Sequence, residues 1–274
     1  MAEFLRTWGA LIIAVVALVQ PWLRAGWRHL IWKPKLIPHP AGTIEIGFSS
    51  LGPTLGLLGT LECRRRQTFV RSKDVVVVRL KDGSSHRFSW GIFRSLAFGT
   101  ANQTFELSSG FLVRPEEPYR YNIQFWERTF QNELRPKLEA LRQAWQERVL
   151  EQFGDALQAV ASGSVAAPAP AELRGKVEEL YRQFSQEELH VSTYGTLQRM
   201  CYWEPGSYRI ELRVATARPN AIHTASWEIS LEEKHVQSLR FNIFKVLQEA
   251  CNQAYGQFSF VYLPYEVEQP GGNA

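Results

Sequence analysis

D-V-V-V-V-R-L-K-D-G-S-S-H-R-F-S-W, residues 74 to 90, sets two β-forming runs on either side of Asp82-Gly83. Asp-Gly between β-branched and aromatic residues is a strong short-range hairpin signal, because glycine adopts the positive φ that a tight turn needs. Working outward, T-I-E-I-G-F (43 to 48) and G-L-L-G-T-L-E-C (56 to 63) precede this hairpin, and P-Y-R-Y-N-I-Q-F (118 to 125) follows it. In the last run Tyr119, Tyr121, Ile123 and Phe125 alternate with Arg120, Asn122 and Gln124, so one face is buried and one is wet. Short strands with turn residues between them, and no helical pattern before residue 127, predict an antiparallel β-sandwich over residues 41 to 126 of an α+β chain.

The period then changes. Phe130, Leu134, Leu138, Leu141, Trp145, Val149, Phe153 and Leu157 recur every three or four residues, which is the stripe of a long amphipathic helix. Pro136 lies inside the stripe, so the regular helix is expected to start or bend there. The small residues of A-S-G-S-V-A-A-P-A-P-A (161 to 171) read as a linker, and Leu173, Val177, Leu180, Tyr181 and Phe184 read as a second helix. Residues 127 to 190 are thus expected to form a helical hairpin arm.

Residues 191 to 274 form a C-terminal α+β segment that pairs with the first sheet or stands as a separate unit. S-Y-R-I-E-L-R-V (207 to 214) and T-A-S-W-E-I-S-L (224 to 231) read as strands. A helix follows with Ser230 as its cap and Glu233 reaching back, and Val236, Leu239, Ile243, Val246, Leu247, Ala250 and Ala254 make its stripe. Gly256 is expected to end it, and F-S-F-V-Y-L-P-Y-E-V (258 to 267) to follow as a strand with Pro264 at an edge.

At the other end, Trp8 to Leu23 carries no charge and spans 16 residues. A membrane-crossing helix needs about 17 to 25 residues, a length reached by adding Phe4 and Leu5 or by letting Arg24 and Arg28 snorkel. Trp22, Trp27 and Trp32 stand among Arg24, Arg28 and Lys33, the composition of a membrane-interface belt. Residues 1 to 40 therefore read as a single-pass signal anchor with a basic aromatic flank, ending in the Pro-rich tether K-P-K-L-I-P-H-P (33 to 40). A cleavable signal would place its charge before the apolar run, whereas here the basic residues follow it. That asymmetry sets the C-terminal body in the cytoplasm. Three widely spaced cysteines, Cys63, Cys201 and Cys251, agree with a reducing compartment.

Charge placement narrows the partners. Residues 1 to 40 hold five bases against Glu3 alone, which equals the net charge of +4 of the whole chain. Residues 41 to 126 then carry an excess of four bases and residues 127 to 274 an excess of four acids, so the body is a charge dipole. The densest basic run is E-C-R-R-R-Q-T-F-V-R-S-K, bringing Arg64, Arg65, Arg66, Arg71 and Lys73 together as a candidate contact for an anionic lipid surface or a protein partner. Nucleic acid is disfavoured, because outside the N-terminal flank the bases and acids balance.

No catalytic motif stands out. There is no phosphate-binding lysine loop, no paired C-x-x-C, no H-E-x-x-H and no G-x-S-x-G; the chain has three aspartates, Asp74, Asp82 and Asp155. The pattern calls for no metal or cofactor. The one catalytic alternative is a thiol nucleophile at Cys201, flanked in sequence by His190 and His223, in a membrane-bound enzyme; a lipid-binding body is a further alternative. The preferred reading is a membrane-anchored cytoplasmic interaction module, an adaptor or scaffold that recognises a protein partner.

Overall fold

A computed structural model describes residues 17–23, 26, 35–94, 105–162, 170–217, 220–253 and 258–267. The protein is α+β. Its strands are β1 (Lys35–Ser49), β2 (Gly52–Arg64), β3 (Thr68–Arg79), β4 (Ser85–Arg94), β5 (Phe105–Leu107), β6 (Phe111–Val113), β7 (Tyr119–Trp126), β8 (Gly206–Ala217), β9 (Asn220–Leu231), β10 (Val261–Pro264) and β11 (Glu266–Val267). The helices of the body are α1 (Arg128–Ala161), α2 (Pro170–Phe184), α3 (Glu188–Met200) and α4 (Glu233–Ala250). Residues 17–23 are also helical.

The Asp82-Gly83 hairpin forms. Gly83 has φ of 73°, its amide donates to Arg79 O at 2.9 Å, and Asp82 Oδ1 accepts from the Ser84 amide at 3.0 Å. The strands around it do not close into a separate sandwich over residues 41 to 126. All eleven belong to one antiparallel sheet, ordered β10-β1-β2-β7-β4-β3-β8-β9-β11, with β5 on β4 and β6 on β3. The C-terminal strands enter because β3 offers its second edge to β8, with Val75 opposite Leu212 and Val77 opposite Ile210. Residues 206–231 therefore pair with the first sheet. The sheet curls until one short segment bridges its two margins: β10 pairs with β1, and β11, one residue further on, pairs with β9.

Alternation determines which side is filled. Ile44, Ile46, Leu55, Leu57, Ile123, Phe125, Val75, Phe88, Ile210 and Leu212 are all buried and face one another across paired strands. Removing such a side chain from water is worth about 1.5 to 3 kcal/mol each, which is what holds so many non-local strand pairs against their ordering cost. The helices close over this face. Leu134, Leu138, Leu141 and Trp145 of α1, Leu197 and Met200 of α3, and Val236, Leu239, Ile243, Val246 and Leu247 of α4 are buried in the same core.

Other expectations shift. β1 begins at Lys35, inside the stretch read as a tether, because Leu36 to Pro40 pair with Cys63 to Gly59; Pro38 and Pro40 are tolerated where β10, which covers only Thr43 to Ile46, leaves that edge unpaired. Helix α1 starts at Arg128, ahead of Pro136, and its last turns leave Leu150, Leu157 and Val160 exposed. Helix α3 occupies residues 188 to 200 and so continues ten residues past the expected end of the helical arm at residue 190. The cap of α4 is Glu232 rather than Ser230, which lies in β9; Glu232 and His235 form a reciprocal capping box. That helix ends at Ala250, with Asn252 at φ of 51°; Ala254 and Gly256 lie outside the described residues. Among the described residues no helix is long and apolar enough to cross a membrane. Residues 1–16 of the expected span lie outside them.

Candidate functional site

The basic run of residues 64 to 73 divides. Arg64, Arg65 and Arg66 are exposed on the β2–β3 turn, with Arg65 at φ of 80°, and Cys63 Sγ donates to Arg66 O at 2.9 Å. Glu62 takes both Arg64 (2.7 Å) and His39 (2.8 Å), and these two contacts hold its carboxyl below the ordinary carboxylate value. A bulge in β3 between Val70 and Ser72 then splits Arg71 from Lys73. Arg71 points to solvent, whereas Lys73 is 3% exposed and lies inside the sheet. Lys73 is thus no part of a surface patch, a correction whose cause is that inward alternation runs back from Val77 through Val75 to Lys73 before the bulge resets it.

Around the Lys73 amine stand five rings. Its Nζ lies 4.0 Å from the centre of Phe111, 4.6 Å from Trp90, 5.1 Å from Phe93, 5.5 Å from Tyr121 and 5.9 Å from Tyr119. Burial lowers the affinity of the amine for a proton well below that of an ordinary lysine, while the ring faces favour the charged form. Lys73 Nζ, Trp90 Nε1 and Tyr121 Oη are all buried without a hydrogen-bond partner. Burial also pushes the Tyr121 hydroxyl up.

Cys201 caps the C-terminus of α3 and is buried. It borders a cleft of about 450 Å³ with Arg79, His86, Tyr202, Glu204, Tyr208 and Arg240 among its walls. Burial pushes the Cys201 thiol up to about 11, with Arg240 opposing in part. Neither flanking histidine serves it as a base. His190 sits near the far end of α3, about 16 Å away at 1.5 Å per residue, against Tyr181 Oη at 3.4 Å. His223 lies on β9. Several of the cleft's groups are engaged with one another: His86 stacks on Tyr202 at 3.5 Å, Glu127 faces His86 Nδ1 at 3.4 Å, and Arg79 is bonded to Glu204. Such an arrangement fixes the segment after α3 against β4 and offers no thiolate. Among the described residues, no three side chains gather as a metal would require.

On the outer side of α3 and α4 lies a groove of about 490 Å³ lined by Tyr194, Gln198, Cys201, Gln237, Arg240, Phe241, Ile243 and Phe244. Phe241 is 57% and Phe244 50% exposed, with ring centres 6.2 Å apart, and Tyr194 meets Phe244 at 5.5 Å. These aromatics stand off the buried stripe of α4. The available signal was that α4 carries more large apolar residues than one stripe needs. Of the membrane-flank candidates, Trp22 is 77% exposed on the helical segment, and Arg24, Trp27, Arg28, Trp32 and Lys33 lie outside the described residues.

No family model, curated protein or solved structure matches this chain.

Proposed function

We propose that the protein is a single-pass, membrane-anchored interaction module whose body lies in the cytoplasm and receives a protein partner on the α3–α4 face. The observation that carries this reading is the exposed pair Phe241 and Phe244 beside an open groove, on a helix whose opposite side is already filled. A large aromatic left in water on a packed helix costs solubility and gains from being covered. Arg240 at the groove wall suits an amphipathic helix that brings apolar side chains and a carboxylate. The apolar run at residues 8 to 23 and its Trp-Arg flank support the tether. The Arg64 to Arg66 turn, at one end of the sheet, is a second contact for the partner or for anionic lipid.

The thiol-enzyme alternative loses support, since Cys201 is buried, its thiol is pushed up to about 11, and the histidine of its cleft, His86, is stacked on Tyr202 and faces Glu127. The test is purification of the tagged full chain from its native membranes in mild detergent, alongside Phe241→Asp/Phe244→Asp and Arg64→Glu/Arg65→Glu/Arg66→Glu. A stoichiometric partner lost from the aromatic variant, with the fold intact by circular dichroism, is the expected result. Equal recovery of the same proteins with both variants would contradict the assigned faces.

A further inference from the structure

β3 and β4 pair only from Asp74 to Val78, with Asp74 opposite Ser89 as the last pair before the strands part. Beyond it β3 bulges at Arg71 and Ser72, β4 shifts register between Trp90 and Ile92, and each strand takes a different partner, β6 on β3 and β5 on β4. The sheet forks there. In the fork lies a cavity of about 330 Å³, bordered by Arg71, Ser72, Lys73, Asp74, Arg87, Ser89, Trp90, Ser108 and Arg128.

The polar groups at this fork are strongly biased to donors. Arg71, Arg87 and Arg128 contribute guanidinium groups, and the single carboxylate, Asp74, is engaged by Arg87 at 2.9 Å. Neither Arg71 nor Arg128 has an ion-pair partner among the described residues. Arg128 is also the first residue of α1, and the carboxylate of the preceding Glu127 is turned to His86 and Tyr202 rather than to the cavity arginines. Two of the bordering residues, Lys73 and Trp90, carry buried nitrogens without a partner. Indole N–H and ammonium can only donate, so what they lack is an acceptor.

We propose that the fork is a binding site for a small phosphate-type dianion, held by Arg71 and Arg128 with Arg87 behind Asp74, and backed by the Lys73 amine. Fork-shaped guanidinium groups match phosphate oxygens in pairs, and a dianion answers the two unpaired arginines. The cavity volume suits a phosphate monoester with a small body, whether soluble or the headgroup of a lipid in an adjoining leaflet. This assignment is independent of the α3–α4 face.

The test is thermal unfolding and calorimetric titration of the purified full chain in a zwitterionic detergent. Inorganic phosphate and glycerol phosphate are the soluble probes, with chloride matched for ionic strength, and mixed micelles containing phosphatidic acid are the lipid probe. Saturable stabilisation by phosphate or by phosphatidic acid, weakened about tenfold per arginine in Arg71→Gln and Arg128→Gln, is expected. The triple variant Arg64→Gln/Arg65→Gln/Arg66→Gln, on the β2–β3 turn outside the cavity lining, should titrate as wild type. Tighter binding of phosphatidic acid micelles than of glycerol phosphate assigns the headgroup as the ligand, and the reverse assigns a soluble ester. A response that does not saturate, or that is equal in the Arg71, Arg128 and triple variants, would overturn the proposal. Lys73→Met gives a separate readout: phosphate binding should weaken in it with the cavity arginines intact, and unchanged binding would remove the amine from the site.

Discussion

Asn242 and Ser259 are joined through both halves of one side-chain amide. Asn242 Nδ2 donates to Ser259 O at 2.7 Å, and Asn242 Oδ1 accepts from the Ser259 amide at 2.8 Å. Asn242 is fully buried on α4, and Ser259 stands two residues before β10. This pair therefore ties the helix that fills the sheet to the segment that bridges its margins. Asn242→Ala leaves a backbone N–H and a C=O without their partner, at about 1 to 3 kcal/mol each. The expected loss is about 2 to 4 kcal/mol in urea unfolding, and Asn242→Asp, which keeps the acceptor and loses the donor, should not restore it.

Lys73 carries a pH dependence whose sign is fixed by its burial. The amine binds a proton less readily folded than unfolded, where its ordinary value is 10.5. Between the lowered folded value and 10.5 the unfolded chain holds more protons, so this group destabilises the fold at neutral pH and does so less as pH rises. Lys73→Met keeps length and apolar contact without the amine. The variant should be more stable than wild type at pH 7, with the gap narrowing toward pH 10 in denaturant titrations; a gap independent of pH would contradict the assignment.

The three thiols should be inert in the folded chain. Burial raises all of them, Cys201 to about 11 and Cys251 to about 12, and Cys63 in the same direction. Iodoacetamide at pH 7.5 should leave the intact mass unchanged until urea is added, when three adducts appear together. Selective labelling of Cys201 without denaturant would revive the thiol-enzyme reading.

Gly91 stands at the register shift in β4, against the ring of Trp126. A Cβ placed there would overlap that ring, so Gly91→Ala must displace the tryptophan or the strand. A loss of about 1 to 3 kcal/mol, with a changed near-ultraviolet circular dichroism band from the displaced indole, is expected.

Local signals in the sequence were legible where neighbours in the chain decide the structure. Asp82-Gly83 marks a turn because glycine is needed there, and the alternation of Tyr121, Ile123 and Phe125 marks an inward face on any sheet. Which strands share a sheet is a different matter. Val75 and Val77 are equally suited to two sheets or one, and only the pairing of β3 with β8, more than a hundred residues apart, decides between them. Helix α3 was hidden because His190, Thr193, Thr196 and Leu197 make a buried face that is mostly polar in composition. Lys73 was grouped with Arg64 to Arg71 by proximity in sequence, and the bulge at Arg71 and Ser72 separates them in space. The Phe241 and Phe244 face was missed because the stripe of α4 was complete without it.

The central proposal is a tethered body that faces the cytoplasm. Its most direct test is alkaline carbonate extraction of native membranes, followed by protease digestion of sealed vesicles of known sidedness, with an antibody to the α4 region as the reporter. The full chain should stay in the carbonate pellet, and the body should be digested only where the cytoplasmic face is outward. Release of the chain into the supernatant, or digestion only from the opposite face, would contradict it.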